Sequence, residues 1–284
     1  MRRYLFRSLT IFFLFALSQS VQAFDNGLFW KLESPSGKTS YLLGTIHTDD
    51  QRVTEFSPKV IDALDKSDVF MMETLPPTDQ SVFMLKQGDV AQLLNEEELQ
   101  QVIQLCIQHS LPTEYTLHMK PWLLAVLFDL PKSMDTFSMD EKLLMMAIEK
   151  SKKVKGLEEN GAHFSMLDSI SIDDQMVMLR AVLKRSQEDK HRDFESLINT
   201  YKTEDLRKIG DLDEAITGGM LPKDLWEKMK VKLVDERNQG MTEGLIANAS
   251  NARVFAAVGA SHLGGENGIL SRLIGAGYKV SRVK

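Results

Sequence analysis

The chain has 284 residues, of which 43% are apolar and 26% charged, an ordinary globular composition that argues against a disordered or fibrous protein. Its 34 basic and 40 acidic residues leave a net charge of −6, a balance that argues against nucleic acid or an anionic membrane as an electrostatic partner. Cys106 is the only cysteine, so the chain forms no intrachain disulfide.

The first 23 residues read as a secretory signal peptide. Arg2, Arg3 and Arg7 supply a positive start, residues 9–17 an apolar stretch, and Val21-Gln22-Ala23 a small-residue cleavage site before Phe24. The stretch is far shorter than the roughly 20 residues that span a bilayer. An exported protein, periplasmic or secreted, with no stable membrane anchor after cleavage is therefore expected. Loss of the three leader arginines takes the net charge from −6 to −9. Residues 24–284 are expected to form a single domain.

Two strands, 28–33 and 39–43, flank Ser34-Pro35-Ser36-Gly37, whose Pro and Gly mark a hairpin turn. Ser57-Pro58 has the form of an N-cap and first helical residue, opening a short helix through Val60, Ile61 and Leu64. Residues 68–72 form a buried-strand candidate that stops at Glu73. Asn95 caps a helix in which Cys106 recurs with Leu99, Val102 and Ile103 at helical spacing, the pattern of a packed, inert thiol.

Farther along, Ser138 and Glu141 have capping-box spacing, and residues 154–157 make a brief strand ending at Glu158. Residues 172–206 are rich in helix formers with few breakers before Gly210, which predicts long packed helices. A continuous apolar run at 254–258, a helical stripe through Ile269, Leu270, Leu273 and Ile274, and a last strand at 278–283 close the chain. The fold class is therefore α/β: a central mixed sheet assembled from N- and C-terminal strand-helix-strand segments, with a mostly helical middle region.

The chemistry gathers where strands stop. Gly44-Thr45-Ile46-His47 and Gly259-Ala260-Ser261-His262 are two copies of G-x-x-H at opposite ends of the chain. In an open α/β sheet, ligands collect outside the carboxyl ends of the strands. His47 and His262, together with the strand-end carboxylates Glu73 and Glu158, would make a divalent-metal site. Arg237 and Asn238 follow two acidic residues on a helical stretch, and His163 lies beyond Gly161, where a surface role is expected. His109, His118 and His191 lack a partner at ligand spacing.

These strings, with Gly156-Leu157-Glu158, Glu236-Arg237-Asn238 and the ending that runs from Ala257 through Gly268, resemble the TraB/GumN family over about residues 28–283. That family is similar to the TIKI metalloproteases, which use divalent metals such as cobalt or manganese, and more distantly to erythromycin esterase and haem-binding ChaN-like proteins. The resemblance implies a fold of the EreA/ChaN-like/TIKI-like kind and a metal-dependent hydrolase acting on a peptide. His47, His262, Glu73 and Glu158 would hold manganese, cobalt or zinc, with Glu73 as ligand or base and Arg237 and Asn238 beside the substrate. Here Glu158 is followed by Glu159-Asn160-Gly161-Ala162-His163, where the family commonly has a Gln. A metal-independent esterase and a binding protein for a peptide, haem or another small ligand are the alternatives.

Overall fold

The structure, a computed structural model, describes residues 26–132 and 137–284, so the expected signal peptide lies outside the described residues. Among these, no helix is long and apolar enough to cross a membrane.

Six strands form one sheet: β1 (Phe29–Glu33), β2 (Thr39–Thr45), β3 (Val69–Met72), β4 (Lys153–Gly156), β5 (Val254–Gly259) and β6 (Lys279–Arg282). Their order is β4-β3-β5-β2-β1-β6. The sheet is mixed, as the strand pattern implied. β4, β3, β5 and β2 run parallel, whereas β1 is antiparallel to both β2 and β6. The β1–β2 hairpin turns where expected, with Gly37 in the left-handed region at φ 82°.

The C-terminal strand β5 lies between two N-terminal strands, and residues 254–258 are completely buried. A strand covered on both faces reads as an unbroken apolar run rather than an alternation, which is what Val254-Phe255-Ala256-Ala257-Val258 is. Phe255 packs between Phe70 of β3 and Phe29 of β1, with ring centroids 6.2 and 6.1 Å away.

Among the described residues, thirteen α-helices connect and cover the strands. Between β2 and β3 lie α1 (Gln51–Thr54) and α2 (Pro58–Lys66), the latter capped by the Ser57 side chain. The β3–β4 connection holds α3 (Glu96–Gln108), α4 (Thr113–Leu117), α5 (Pro121–Asp129) and α6 (Met139–Glu149). Asn95 and Ser138 close capping boxes on α3 and α6 with Glu98 and Glu141. The β4–β5 connection holds α7 (Ala162–Asp168), α8 (Ile172–Leu183), α9 (Gln187–Lys202), α10 (Leu206–Asp213), α11 (Lys223–Lys230) and α12 (Glu236–Ala249), and α13 (Ile269–Gly275) precedes β6.

The sheet shares its apolar core with α2, α6, α9, α12 and α13, while a second cluster joins α3, α5 and α8. Cys106 is fully buried in that second cluster, where burial pushes its thiol up in pKa, so it is the packed, inert group its spacing implied.

The helical stretch after residue 172 differs from expectation in its breaks. Ser186 and Asp205 each cap a new helix with the side chain, ending the run twice, and Gly210 sits inside α10 rather than stopping it. Two π-helical turns, Glu214–Gly218 and Val231–Asp235, bracket α11 and carry no sequence mark.

Candidate functional site

Each of the four parallel strands delivers one polar residue past its carboxyl end. In spatial order across β4, β3, β5 and β2 these are Glu158, Glu73, His262 and His47. The switch point lies where β2 and β3 pass to opposite sides of β5, the place where an open α/β sheet forms its crevice.

Gly259 is the centre of the arrangement. Its backbone N–H donates to Glu73 Oε1 at 2.6 Å. A Cβ on Gly259 would stand 3.2 Å from that oxygen, 3.5 Å from His262 Cδ2 and 3.9 Å from His47 Nε2. The missing side chain therefore leaves a space that both imidazoles and the carboxylate face. His47 and His262, far apart in sequence, converge as their paired motifs implied.

Both rings are fixed from behind. Asp140 Oδ2 stands 2.9 Å from His47 Nδ1, and Asp140 Oδ1 accepts from the Thr45 hydroxyl at 2.7 Å. Asn238 Oδ1 stands 2.7 Å from His262 Nδ1. Asn238 Nδ2 donates to the Asn267 carbonyl, which can only accept, so the amide orientation is set and Oδ1 faces the ring. In the neutral ring, an acceptor at each Nδ1 puts the proton there and leaves Nε2 with its lone pair toward the crevice. Asn238 therefore orients His262. The loop 264–268 supports this pair, since it carries the Asn267 carbonyl.

Arg237 binds both carboxylates. Its Nε and Nη2 donate to Glu158 Oε1 and Oε2 at 2.9 and 2.8 Å, and Nη2 also donates to Glu73 Oε2 at 2.6 Å. Arg237 is buried, so it is not an exposed helical charge. Nη1 has only a long 3.5 Å contact with the Leu233 carbonyl, in the π-helical turn just before α12. Such turns shift the helix register by one residue and often occur at functional sites.

Burial opposes the charge on Glu73, but His262, Arg237, His47 and the Gly259 N–H outweigh it and hold the carboxyl far below the usual range. Burial also opposes the charge on Arg237, and the Glu158 and Glu73 carboxylates more than restore it. The Asp140 hydrogen bond pushes His47 up to about 9, and the negative charges of Asp140 and Glu73 add to the rise. Burial lowers His262, which favours the neutral ring. The His47 side chain is 68% exposed while that of His262 is 8% exposed, so the crevice opens on the His47 side.

Three features were not found in the sequence. Asp140 looks like an ordinary acidic residue in the first turn of α6, and only the packing of that turn against β2 makes it the partner of His47. Thr45 and Gly259 lie inside the G-x-x-H motifs, but their bonds to Asp140 and Glu73 are tertiary and leave no mark in the sequence. His163 is corrected: it is partly buried, and its Nδ1 is buried with no hydrogen-bond partner. Gly161, at φ 81°, turns the chain so that α7 starts beside Arg237. The other three histidines stay apart: His118 contacts the Gly88 carbonyl, His109 packs on Phe128, and His191 is exposed.

A match to the TraB/PrgY/gumN family spans residues 28–282. The chain belongs to that family. No curated protein matches it. For this family member, the donor set decides whether a metal fits. Among the described residues, no group of three or more His, Cys, Asp or Glu stands together closely enough to hold an ion as the side chains lie. Glu73 and Glu158 are turned toward Arg237, and Glu158, expected among the ligands, gives it both oxygens. The chemistry nevertheless fits: two Nε2 atoms and Glu73 Oε1 border one space, each Nε2 offers a lone pair once its ring is neutral, and each ring is held by a hydrogen bond of the kind that orients metal-bound histidines.

Proposed function

We propose that this TraB/PrgY/gumN family member is an exported hydrolase that cleaves a peptide with the help of a divalent ion. The observation that carries the reading is the pair of back-bonded imidazoles facing the space beside Gly259 together with Glu73. His47, His262 and Glu73 would hold manganese, cobalt or zinc. Bound by these residues, a divalent ion would supply the activation of water, whose pKa such ions lower from about 15.7 toward roughly 7.

The protein's own groups divide the remaining work. Glu73, held ionised by Arg237 and the Gly259 amide, suits a ligand better than a base, because so acidic a carboxyl retains a proton poorly. Glu158 fixes the Arg237 guanidinium through two parallel hydrogen bonds. Arg237 keeps donor capacity on Nη1 for an oxyanion developing on the substrate carbonyl. His262 and Asn238 form a buried, rigid wall, and the exposed His47 side admits substrate.

A metal-independent esterase would use one of the two imidazoles as its base, and metal content and chelator sensitivity separate it from the metal-dependent reading. The test combines metal analysis of purified protein with a peptide-library cleavage assay in added manganese, cobalt or zinc. His47→Ala and His262→Ala should each lose the ion and cleavage together. Chelator-resistant cleavage would favour the esterase, and recovery of an intact peptide or haem without turnover would favour a binding protein.

A further inference from the structure

Behind Arg237 a second opening begins. A cleft of about 580 Å³ runs between α7 and α12, with Arg237 and Glu158 in the wall it shares with the histidine crevice. Its floor is made by close backbone approach: a Cβ on Gly244 would stand 2.2 Å from the Leu157 carbonyl oxygen, so α12 rests directly on the end of β4. One helical turn earlier Gly240 also lines the cleft, but a Cβ there would meet nothing within 4 Å. Glycine weakens a helix interior by about 1 kcal/mol relative to alanine. Packing explains Gly244 and leaves Gly240 unexplained, except as space in the cleft.

The walls have a definite chemistry. Met166, Ala162 and Ala247 give an apolar lining. His163 lines the same cleft, with its Nδ1 buried and unpartnered. A buried polar atom without a partner costs free energy unless a ligand completes it. Beyond the Arg237–Glu158 pair, the lining carries Glu159, Glu236 and Glu243 against the single cation Lys232. None of the three carboxylates is in an ion pair among the described residues, and Lys232 donates to Ser169 Oγ. Glu243 accepts only from the neutral Gln239 amide.

We infer that the cleft is a substrate subsite for a long cationic side chain, Lys or Arg, of a peptide whose backbone lies at the histidine crevice. The aliphatic stem lies along Met166, Ala162 and Ala247 over the space at Gly240. The cationic head meets the carboxylates, and the His163 ring turns to offer a nitrogen to one of its N–H groups. Burial lowers His163 to about 4, so the ring stays neutral and can accept beside a cation near pH 7. The inference rests on the hydrolase reading for its peptide backbone, although the cleft can bind a cationic side chain without turnover.

Two variants and two readouts test it. Gly240→Leu projects into the cleft from a helical position and should not lower the thermal midpoint. Glu159→Lys/Glu243→Lys reverses the charge and leaves the histidine crevice intact. In a peptide-library assay, wild type should prefer Lys or Arg at one position next to the cut, and each variant should reduce that preference at least tenfold while cleaving small-side-chain peptides normally.

The second readout needs no turnover. Nα-acetyl-arginine amide should shift the ring ¹⁵N resonance of His163 in wild type but not in Gly240→Leu, and Nα-acetyl-norleucine amide should leave it in place. Resonance shifts without cleavage of any peptide would end the hydrolase reading and keep the subsite. Cleavage with no cationic preference, or a Gly240→Leu variant with unchanged preference, would overturn the subsite and keep the hydrolase.

Discussion

Asn238 Oδ1 stands 2.7 Å from His262 Nδ1, with both residues buried and 24 positions apart in sequence. Asn238→Leu keeps the volume and removes the acceptor. An unpaired buried donor costs about 1–3 kcal/mol, and loss of such an outer partner lowers metal affinity about 10–100-fold. Thermal unfolding and metal titration should show both effects. Unchanged affinity would mean that the ring orientation does not matter.

Asp140 sets the titration of His47. Because the folded pKa is raised above 6.5, to about 9, the pair stabilises the fold fully below pH 6.5 and loses that contribution as pH rises through about 9. Asp140→Asn should move the His47 midpoint toward 6.5 and abolish the alkaline loss. NMR titration of the ring gives the value, and a midpoint still near 9 would point to another cause.

At acid pH the sign reverses for His163 and His262, whose pKa values are lowered mainly by burial. Between about pH 4 and 6.5 the unfolded chain binds more protons at these rings than the folded chain, so stability rises with pH across that window. His163→Gln should flatten the dependence of the thermal midpoint on pH between 4 and 6.5. An unchanged slope would assign it to other groups.

Gly259→Ala places a methyl 3.2 Å from Glu73 Oε1 and 3.5 Å from His262 Cδ2. The Gly259 φ of −52° suits any residue, so the strain is confined to the site. Overpacking of this kind costs about 1–3 kcal/mol. Cleavage should fall at least tenfold with circular dichroism unchanged. Full activity would show that the space beside Gly259 is not where the reacting groups meet.

The exported protein should begin at Phe24. Intact mass of material recovered from the periplasm or medium checks this, and a retained N-terminus would contradict the signal-peptide reading.

The hairpin, the strand ends and the paired G-x-x-H motifs were legible because each is local: a turn glycine, an apolar run and a His three residues after a Gly. The convergence of His47 and His262 was inferable because both motifs close strands of an α/β sheet, and ligands gather at that edge. Asp140 was not legible, since an acidic residue after a Ser cap is the normal first turn of a helix and its contact with His47 is tertiary. Glu158 was recognised as a site residue, but the choice between metal and Arg237 depends on distances that a sequence does not contain. The sequence implies a surface role for His163 because a glycine turn usually leads away from a site, whereas the left-handed Gly161 leads back.

The place of β5 between β3 and β2 has a consequence for synthesis. Until Val254–Gly259 has been made, the N-terminal hairpin and β3 have no strand to join them, and their inner edges remain unpaired. Long-range pairing of this kind folds slowly. In a nascent chain of this protein the sheet therefore stays open until residue 259 has been made. A frameshift or stop anywhere before residue 259 removes the middle of the sheet rather than trimming its border.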